Sequence, residues 1–145
     1  MKFVFADNLI ARRIKLEFGS EMASYLNFEN GFTLTAMDGE KIAGFISASF
    51  KKLPYNFENI LESFIDVIEV KKEYRRRGIA KKLLKLCEEE SKKRGAYQIR
   101  AWSSEDKKEA IAMWKKLGFF LRSQEITSAV TKKPVKGYFV GKVLD

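Results

Sequence analysis

Histidine is absent from this chain, and cysteine occurs once, at Cys87. The first absence excludes imidazole zinc sites, Ser-His-Asp triads and Cys-His pairs, so any catalysis has to run without that group, and no metal is expected. The second excludes an internal disulfide framework and is compatible with a reducing cytoplasm. Proline is equally scarce, at Pro54 and Pro134 only, and with 46% hydrophobic and 13% aromatic residues the composition is that of a folded chain. No apolar run approaches the ~18 residues of a membrane span. The opening "MKFVFADNLI" is too short in its apolar part, and too quickly acidic, for a signal peptide. The expectation is a cytoplasmic protein with no membrane partner. Its 145 residues suit one domain, 1–145, large enough for a real core.

What the chain has in excess is positive charge. Lys and Arg number 28 against 19 Asp and Glu, a formal +9 that gathers at 75–82, 92–94 and 132–136. Charge of that size points to an anionic partner or to a soluble surface.

Periodicity then divides the chain. "KFVFA" reads as a strand, and Asp7 is placed to cap a helix whose apolar Ile10, Ile14 and Phe18 recur every four residues, with Gly19 at its end. A short helical stretch, "SEMASYLNF", follows. "GFTLTAMDGEKIAGFISASF" has β-rich flanks about Asp38-Gly39 and reads as a hairpin. "KKLPYNFENILES" reads as a loop or bent strand extension, leading into the β-branched run "FIDVIEV". From Gly78 the apolar residues Ile79, Leu83, Leu86 and Cys87 line one side of a helix that stops near Gly95. A strand "YQIRAW", a helix "SSEDKKEAIAMWKKLGF" with Ser103 or Ser104 as cap and Gly118 as stop, and two strands, "FFLRSQEIT" and "KGYFVGKVL", close the sequence. The order is β-α-α-β-β-β-α-β-α-β-β, with no repeat and no linker. A β-α-β crossover from Phe64 to Trp102 beside an antiparallel hairpin predicts a mixed sheet.

The stretch "EVKKEYRRRGIAKKLLKL" sets three arginines where a strand hands over to a helix. A helix start leaves backbone N–H groups without partners and carries partial positive charge, so such a turn suits an anion, and arginines add forked donors. Phosphate is the natural occupant. "RRRGIAKK" lacks the GxxxxGK[ST] of a P-loop, and its one glycine falls short of the dinucleotide fingerprint.

What it resembles is the pyrophosphate loop of the GNAT superfamily of N-acetyltransferases: Arg or Gln, two residues, Gly, one residue, then Gly or Ala. Here these are Arg75, Arg76, Arg77, Gly78, Ile79 and Ala80. The similarity runs on through "IDVIEVKKEYRRRGIAKKLLKL" to "EAIAMWKKLGF", whose Gly118-Phe119 ending is common in the family, and covers Phe64 to Phe119. It implies an α/β (α+β) fold: a mixed, mostly antiparallel sheet of six to seven strands with about four helices, and parallel strands splayed at the cofactor site. It implies acetyl-coenzyme A as donor, with the pyrophosphate on the backbone amides from Arg75 to Lys81 and the pantetheine arm along the backbone of Ile68 and Val70. It also implies direct transfer to a primary amine, on a small molecule or a protein, in a ternary complex.

Two positions depart from the family's pattern. Trp114 stands where many members carry the tyrosine that meets the leaving thiolate, and an indole is a donor without usable acidity. Lys107 stands where an asparagine often touches the pantetheine. The base is not carried over either, because relatives place it near Phe64, which cannot serve. Period-2 alternation puts Asp66 on one face with Phe64 and Ile68, and Glu69 opposite, unless a bulge intervenes. Asp66 is the first candidate, followed by Glu69 and Glu62; a carboxylate that binds the substrate ammonium accounts for it equally well. Cys87 falls on the apolar stripe of its helix and reads as a small core residue.

Two alternatives remain open. The missing tyrosine suits a catalytically weak acyl-coenzyme A binder or sensor. A basic nucleic-acid-binding module is disfavoured, since only Tyr74 is interleaved with the basic cluster. The last strand, "GYFVGKVL", could pair between two subunits as a homodimer.

Overall fold

The computed structural model describes residues 1–54 and 59–145. Among them the chain forms β1 (Lys2–Phe5), α1 (Asn8–Phe18), α2 (Ser20–Ala23), β2 (Gly31–Asp38), β3 (Lys41–Lys52), β4 (Leu61–Val70), α3 (Ile79–Lys93), β5 (Ala96–Ser104), α4 (Lys108–Lys116), β6 (Phe120–Thr127) and β7 (Pro134–Val143). The order and type of every element follow the periodicity. Residues 55–58 of the stretch "KKLPYNFENI" lie outside the described residues, while its Lys51 and Lys52 extend β3.

Local chemistry sets most boundaries. Asp7 Oδ1 accepts from the Ile10 N–H at 2.9 Å and opens α1, satisfying one of the donors that a helix start leaves free. Two expectations shift. The second helix is only Ser20–Ala23, and neither Ser103 nor Ser104 caps α4. Both serines belong to β5, whose pairing with β7 runs on to Ser104 opposite Gly137. Ladder hydrogen bonds claim that backbone first, and the Ser104 hydroxyl turns to Asp106 instead.

The strands make one sheet in the order β1-β2-β3-β4-β5-β7-β6. All neighbours are antiparallel except β4 and β5, which run parallel. That parallel pairing is short. It holds Leu61–Ile65 of β4 against Ala96–Ala101 of β5, after which β4 continues on β3 alone and β5 on β7 alone. The sheet therefore opens into a wedge beyond Ile65.

A bulge sits at the apex. Ile65 faces Ala48 and Val67 faces Ser47, so Asp66 is the extra residue, unopposed on β3. The bulge resets the alternation. Ile68, opposite Ile46, turns to the face covered by α3, whereas Glu69, opposite Phe45, turns to the face covered by α1. The simple period-2 reading, with Ile68 beside Asp66 and Glu69 across from it, is thus reversed for both.

Helices cover both faces. Leu83, Leu84 and Cys87 of α3 and Trp114 of α4 pack with Ile46, Ile65, Ile99 and Val140 to form the larger core. On the other side Ile14 of α1 meets Ile42 and Phe45, joined by Phe18, Met22 and Val67. Leu83 is fully buried, whereas Leu16 on α1 is 85% exposed. Leu83→Ala is expected to cost about 2–5 kcal/mol in urea unfolding, through lost transfer energy and a residual cavity, and Leu16→Ala less than about 0.5 kcal/mol. Equal effects from the two substitutions would contradict this assignment of the core.

Candidate functional site

The site begins with the backbone of β4. At its end the Lys71 N–H donates to Ala43 O at 2.8 Å, toward β3, and a Cβ built on Gly44 would lie 2.6 Å from Glu69 O, so that carbonyl also faces β3. Successive residues of a strand alternate, which turns the backbone groups of Ile68 and Val70 the other way, onto the edge that β5 has left. The side chain of Arg75 confirms the direction: its Nε donates to Val70 O at 3.0 Å.

The chain then turns through a short 3-10 segment, Lys72–Tyr74. Tyr74 is buried, and its hydroxyl donates to Asp38 Oδ2 at 2.8 Å, tying this turn to the β2-β3 hairpin. That bond pushes the phenol pKa up, because removing the proton would set a second negative charge beside the carboxylate. Beyond it, Arg76 and Gly78 both adopt left-handed backbone, with φ of 63° and 77°. Gly78 is the N-cap of α3 and supplies no side chain to cap it. The N–H groups of the first helical turn are therefore without side-chain partners, and left-handed residues before them curl the loop into a concave nest of donors. A Cβ on Gly78 would meet nothing within 4 Å; the backbone conformation itself is what favours glycine.

The three arginines separate. Arg75 turns back along β4, with Nη2 donating to Glu69 Oε1 at 3.1 Å, while the Arg77 guanidinium lies over the Tyr74 ring at 5.3 Å. Arg76 remains with Gly78, Ile79, Ala80 and Lys81 around a cleft of about 340 Å³.

This cleft adjoins a larger one of about 810 Å³ in the wedge between β4 and β5, and the two share Arg75, Glu109 and Ala110. Asp66, Ile68, Glu69, Lys107 and Trp114 line the larger cleft, so candidates that lie between residues 66 and 114 of the sequence come together there. Lys107 stands at the start of α4. Trp114 is buried, its ring is tilted at 57° to that of Phe119 with centroids 4.9 Å apart, and its Nε1 has no hydrogen-bond partner among the described residues. Such an orphan donor costs about 1–3 kcal/mol when nothing accepts from it.

The carboxylates differ in availability. Glu62 is 4% exposed and both oxygens are taken, by Arg100 Nε at 2.9 Å, Arg100 Nη2 at 3.1 Å and Gln98 Nε2 at 2.8 Å. It belongs to a structural ion pair and does not line the cleft. Among the described residues Asp66 accepts one bond, from Asn27 Nδ2 at 2.9 Å. At the cleft mouth the Ser104 hydroxyl holds the Asp106 carboxyl below the usual range. Cys87 lies in the core, and burial pushes its thiol up to about 12, which leaves no thiolate at neutral pH.

Four further cleft-lining or neighbouring residues, Met22, Tyr25, Asn27 and Trp102, carried no motif. Met22, Tyr25 and Asn27 arrive from α2 and the segment after it, and Trp102 from β5, so only the assembled wedge reveals them.

Known proteins share this fold. Residues 6–119 match the model of the acetyltransferase (GNAT) family. N-alpha-acetyltransferase 30 of Schizosaccharomyces pombe is 32% identical over 88 residues, which are 61% of this chain and 57% of that protein, so the match spans little more than half of the relative. Arabidopsis thaliana NAA60, solved in complex with acetyl-CoA, superposes with a TM-score of 0.81 at 17% identity, over 99% of this chain and 98% of that one. Arabidopsis thaliana Naa50, in complex with the bisubstrate analogue CoA-Ac-MVNAL, has a TM-score of 0.77 at 19% identity, over 97% of each chain. At such identities these two structures speak to the fold alone. With the family match over most of its length, and with the splayed strands and glycine-capped helix start that the sequence resemblance called for, this chain belongs to the acetyltransferase (GNAT) family.

Proposed function

We propose that this chain transfers the acetyl group of acetyl-coenzyme A to the α-amine of a peptide, by direct transfer in a ternary complex. The observation that carries the reading is the continuity of the two clefts. A donor nest at the start of α3 leads, along the open edge at Val70 and Ile68, to the carboxylate of Asp66. The Arg75 N–H is taken by Lys72 O at 3.3 Å, and a pyrophosphate suits the N–H groups from Arg76 to Lys81, the remainder of the loop that the resemblance implies. The amides of a pantetheine arm suit the exposed strand edge, as an added strand would. Acetyl-coenzyme A supplies an activated acyl group and a thiolate leaving group. The peptide α-amine as acceptor is supported by the N-alpha-acetyltransferase relative and by the CoA-Ac-MVNAL analogue bound to the Naa50 neighbour. Asp66 and Glu69 suit a cationic group.

In this reading the backbone N–H on the open β4 edge holds the oxyanion, as preorganised amide donors do. The amine nitrogen forms its bond to the carbonyl carbon, the carbon–sulfur bond breaks, and the amine proton passes to Asp66. Glu69, held by Arg75, is the second carboxylate on the acceptor side. Trp114 closes the acyl end by packing, and its free N–H is available to the departing sulfur. A thiol of pKa ~8.5 leaves without needing full protonation, so a tyrosine is dispensable. Cys87, buried and protonated, takes no part. The second reading, an acyl-coenzyme A binder that does not turn over, is favoured by that same Trp114. Assaying free coenzyme A release with pentapeptides Xaa-Val-Asn-Ala-Leu, a lysine side-chain amine and a polyamine decides between them. Turnover with the peptides alone supports the proposal; binding without turnover on any amine supports the sensor.

Three substitutions address the residues. Gly78→Val forces a β-branched residue into left-handed backbone and so distorts the loop that presents the donors. Coenzyme A affinity by calorimetry is expected to fall at least about tenfold in a protein that still folds, and wild-type affinity would remove the loop as the pyrophosphate site.

Asp66→Asn keeps shape and removes the charge. A drop in kcat of ~10²-fold with cofactor affinity retained is expected of a general base. A raised acceptor KM at unchanged kcat makes it the ammonium anchor instead, and no change in either excludes both roles.

Trp114→Phe keeps most of the packing and deletes the orphan N–H, so the rate is expected to stay within about tenfold, whereas Trp114→Tyr raises it by offering a proton. Melting temperature is followed in parallel, since trimming a buried side chain is itself destabilising. A stable Trp114→Phe protein slowed more than about a hundredfold, or ~2.7 kcal/mol, makes the indole a direct ligand of the reacting atoms.

A further inference from the structure

The bulge at Asp66 is clamped from outside its own strand. Asn27, in the segment between α2 and β2, points its side-chain amide at β4, where Nδ2 donates to Asp66 Oδ2 at 2.9 Å. The same nitrogen lies 3.1 Å from Ser47 Oγ and 3.1 Å from Tyr25 O. Three oxygens around one amide terminus require that it be the nitrogen and not the oxygen that faces Asp66.

Asn27 is itself anchored at both backbone groups. Its N–H donates to Ser47 Oγ at 2.8 Å, and its carbonyl accepts from Thr33 Oγ1 at 2.9 Å. Ser47 and Thr33 are fully or almost fully buried and lie 2.9 Å from each other. Ser47 is also the residue opposite Val67, next to the bulge. The amide therefore cannot swing away without breaking a buried polar network, which is costly in a low-dielectric interior.

We infer that Asn27 is the positioning residue for the acceptor-side carboxylate. It takes one oxygen of Asp66, Oδ2, and thereby presents the other, Oδ1, to the acceptor amine; among the described residues nothing donates to Oδ1. The same contact joins the wall formed by Met22 and Tyr25 to the strand whose edge the donor uses, so amine and thioester are held in one frame. Holding a reacting pair in register is worth several powers of ten in rate, and an error of about 1 Å is enough to lose two of them. The inference rests on the acceptor role of Asp66 proposed above.

The test is a double-mutant cycle with Asn27→Ala and Asp66→Asn, using acetyl-coenzyme A and the best Xaa-Val-Asn-Ala-Leu peptide as substrates. Asn27→Ala is expected to lower kcat/KM for the peptide about tenfold or more while coenzyme A affinity by calorimetry stays within about twofold. In the Asp66→Asn background the same change is expected to add no more than about twofold, because the group it acts through is already lost. Should Asn27→Ala fail to fold, Asn27→Asp keeps the size and sets a carboxylate against Asp66, and a comparable loss confined to the peptide is expected. A tenfold effect that persists in the Asp66→Asn background, or a parallel loss of coenzyme A affinity, makes Asn27 a structural staple and overturns the inference. Unchanged peptide kinetics in Asp66→Asn alone overturns the role of Asp66, and is read separately from the cycle.

Discussion

Everything in the site follows from two parallel strands that pair for five residues of β4 and then part. Had β4 and β5 stayed together, the outward N–H and C=O groups of Ile68 and Val70 would have been satisfied within the sheet. Parting leaves them without a strand partner in a wedge of mixed lining, where a ligand amide is a ready replacement. Arg75 Nε holds Val70 O at present, a charge-assisted stand-in for such an amide. The parting also makes the room: the larger cleft lies between the separated strands, with α4 closing one side through Trp114.

The bulge at Asp66 occurs where β4 loses its β5 partner. Its effect is on direction. It delivers a carboxylate into the wedge, carries Glu69 to the same cleft, and returns Ile68 to the core against Ile46, so that Ile68 packs with its side chain while leaving its backbone at the open edge. Packing and ligand contact are compatible there because they use different atoms. The polar network through Asn27, Ser47 and Thr33 keeps the extra residue from slipping back into the ladder.

Charge is distributed by task. The chain carries +9 overall, yet the larger cleft is lined by Asp66, Glu69, Asp106 and Glu109 against Arg75, Lys107 and Lys108. The smaller cleft at the start of α3 is instead lined by Arg75, Arg76 and Lys81 against Glu109 alone. An anionic donor and a cationic acceptor would thus meet opposite fields at the two ends of one trough, which favours each in its own end and opposes the exchange.

Local signals carried the fold. The β-branched run "FIDVIEV", the four-residue apolar spacing of α1 and α3, and the end signals at Asp7, Gly19, Gly95 and Gly118 all depend on residues within a turn or two of one another, and the seven-strand, four-helix order read from them stands. The helix start that follows "RRRG", with Gly78 as its N-cap, was legible for the same reason, since a helix start and its glycine are adjacent in sequence. The rest was settled only when distant segments met. That α2 is a single turn, that β5 consumes Ser103 and Ser104, that Arg75 folds back on Glu69 while Arg77 covers Tyr74, and that Asp66 bulges toward an asparagine 39 residues earlier are outcomes of competition among partners far apart in the chain. A strand's period fixes which face a residue takes only while its register is unbroken, and one unopposed residue, placed by the pairing of β4 with β3, decided which carboxylates face the cleft.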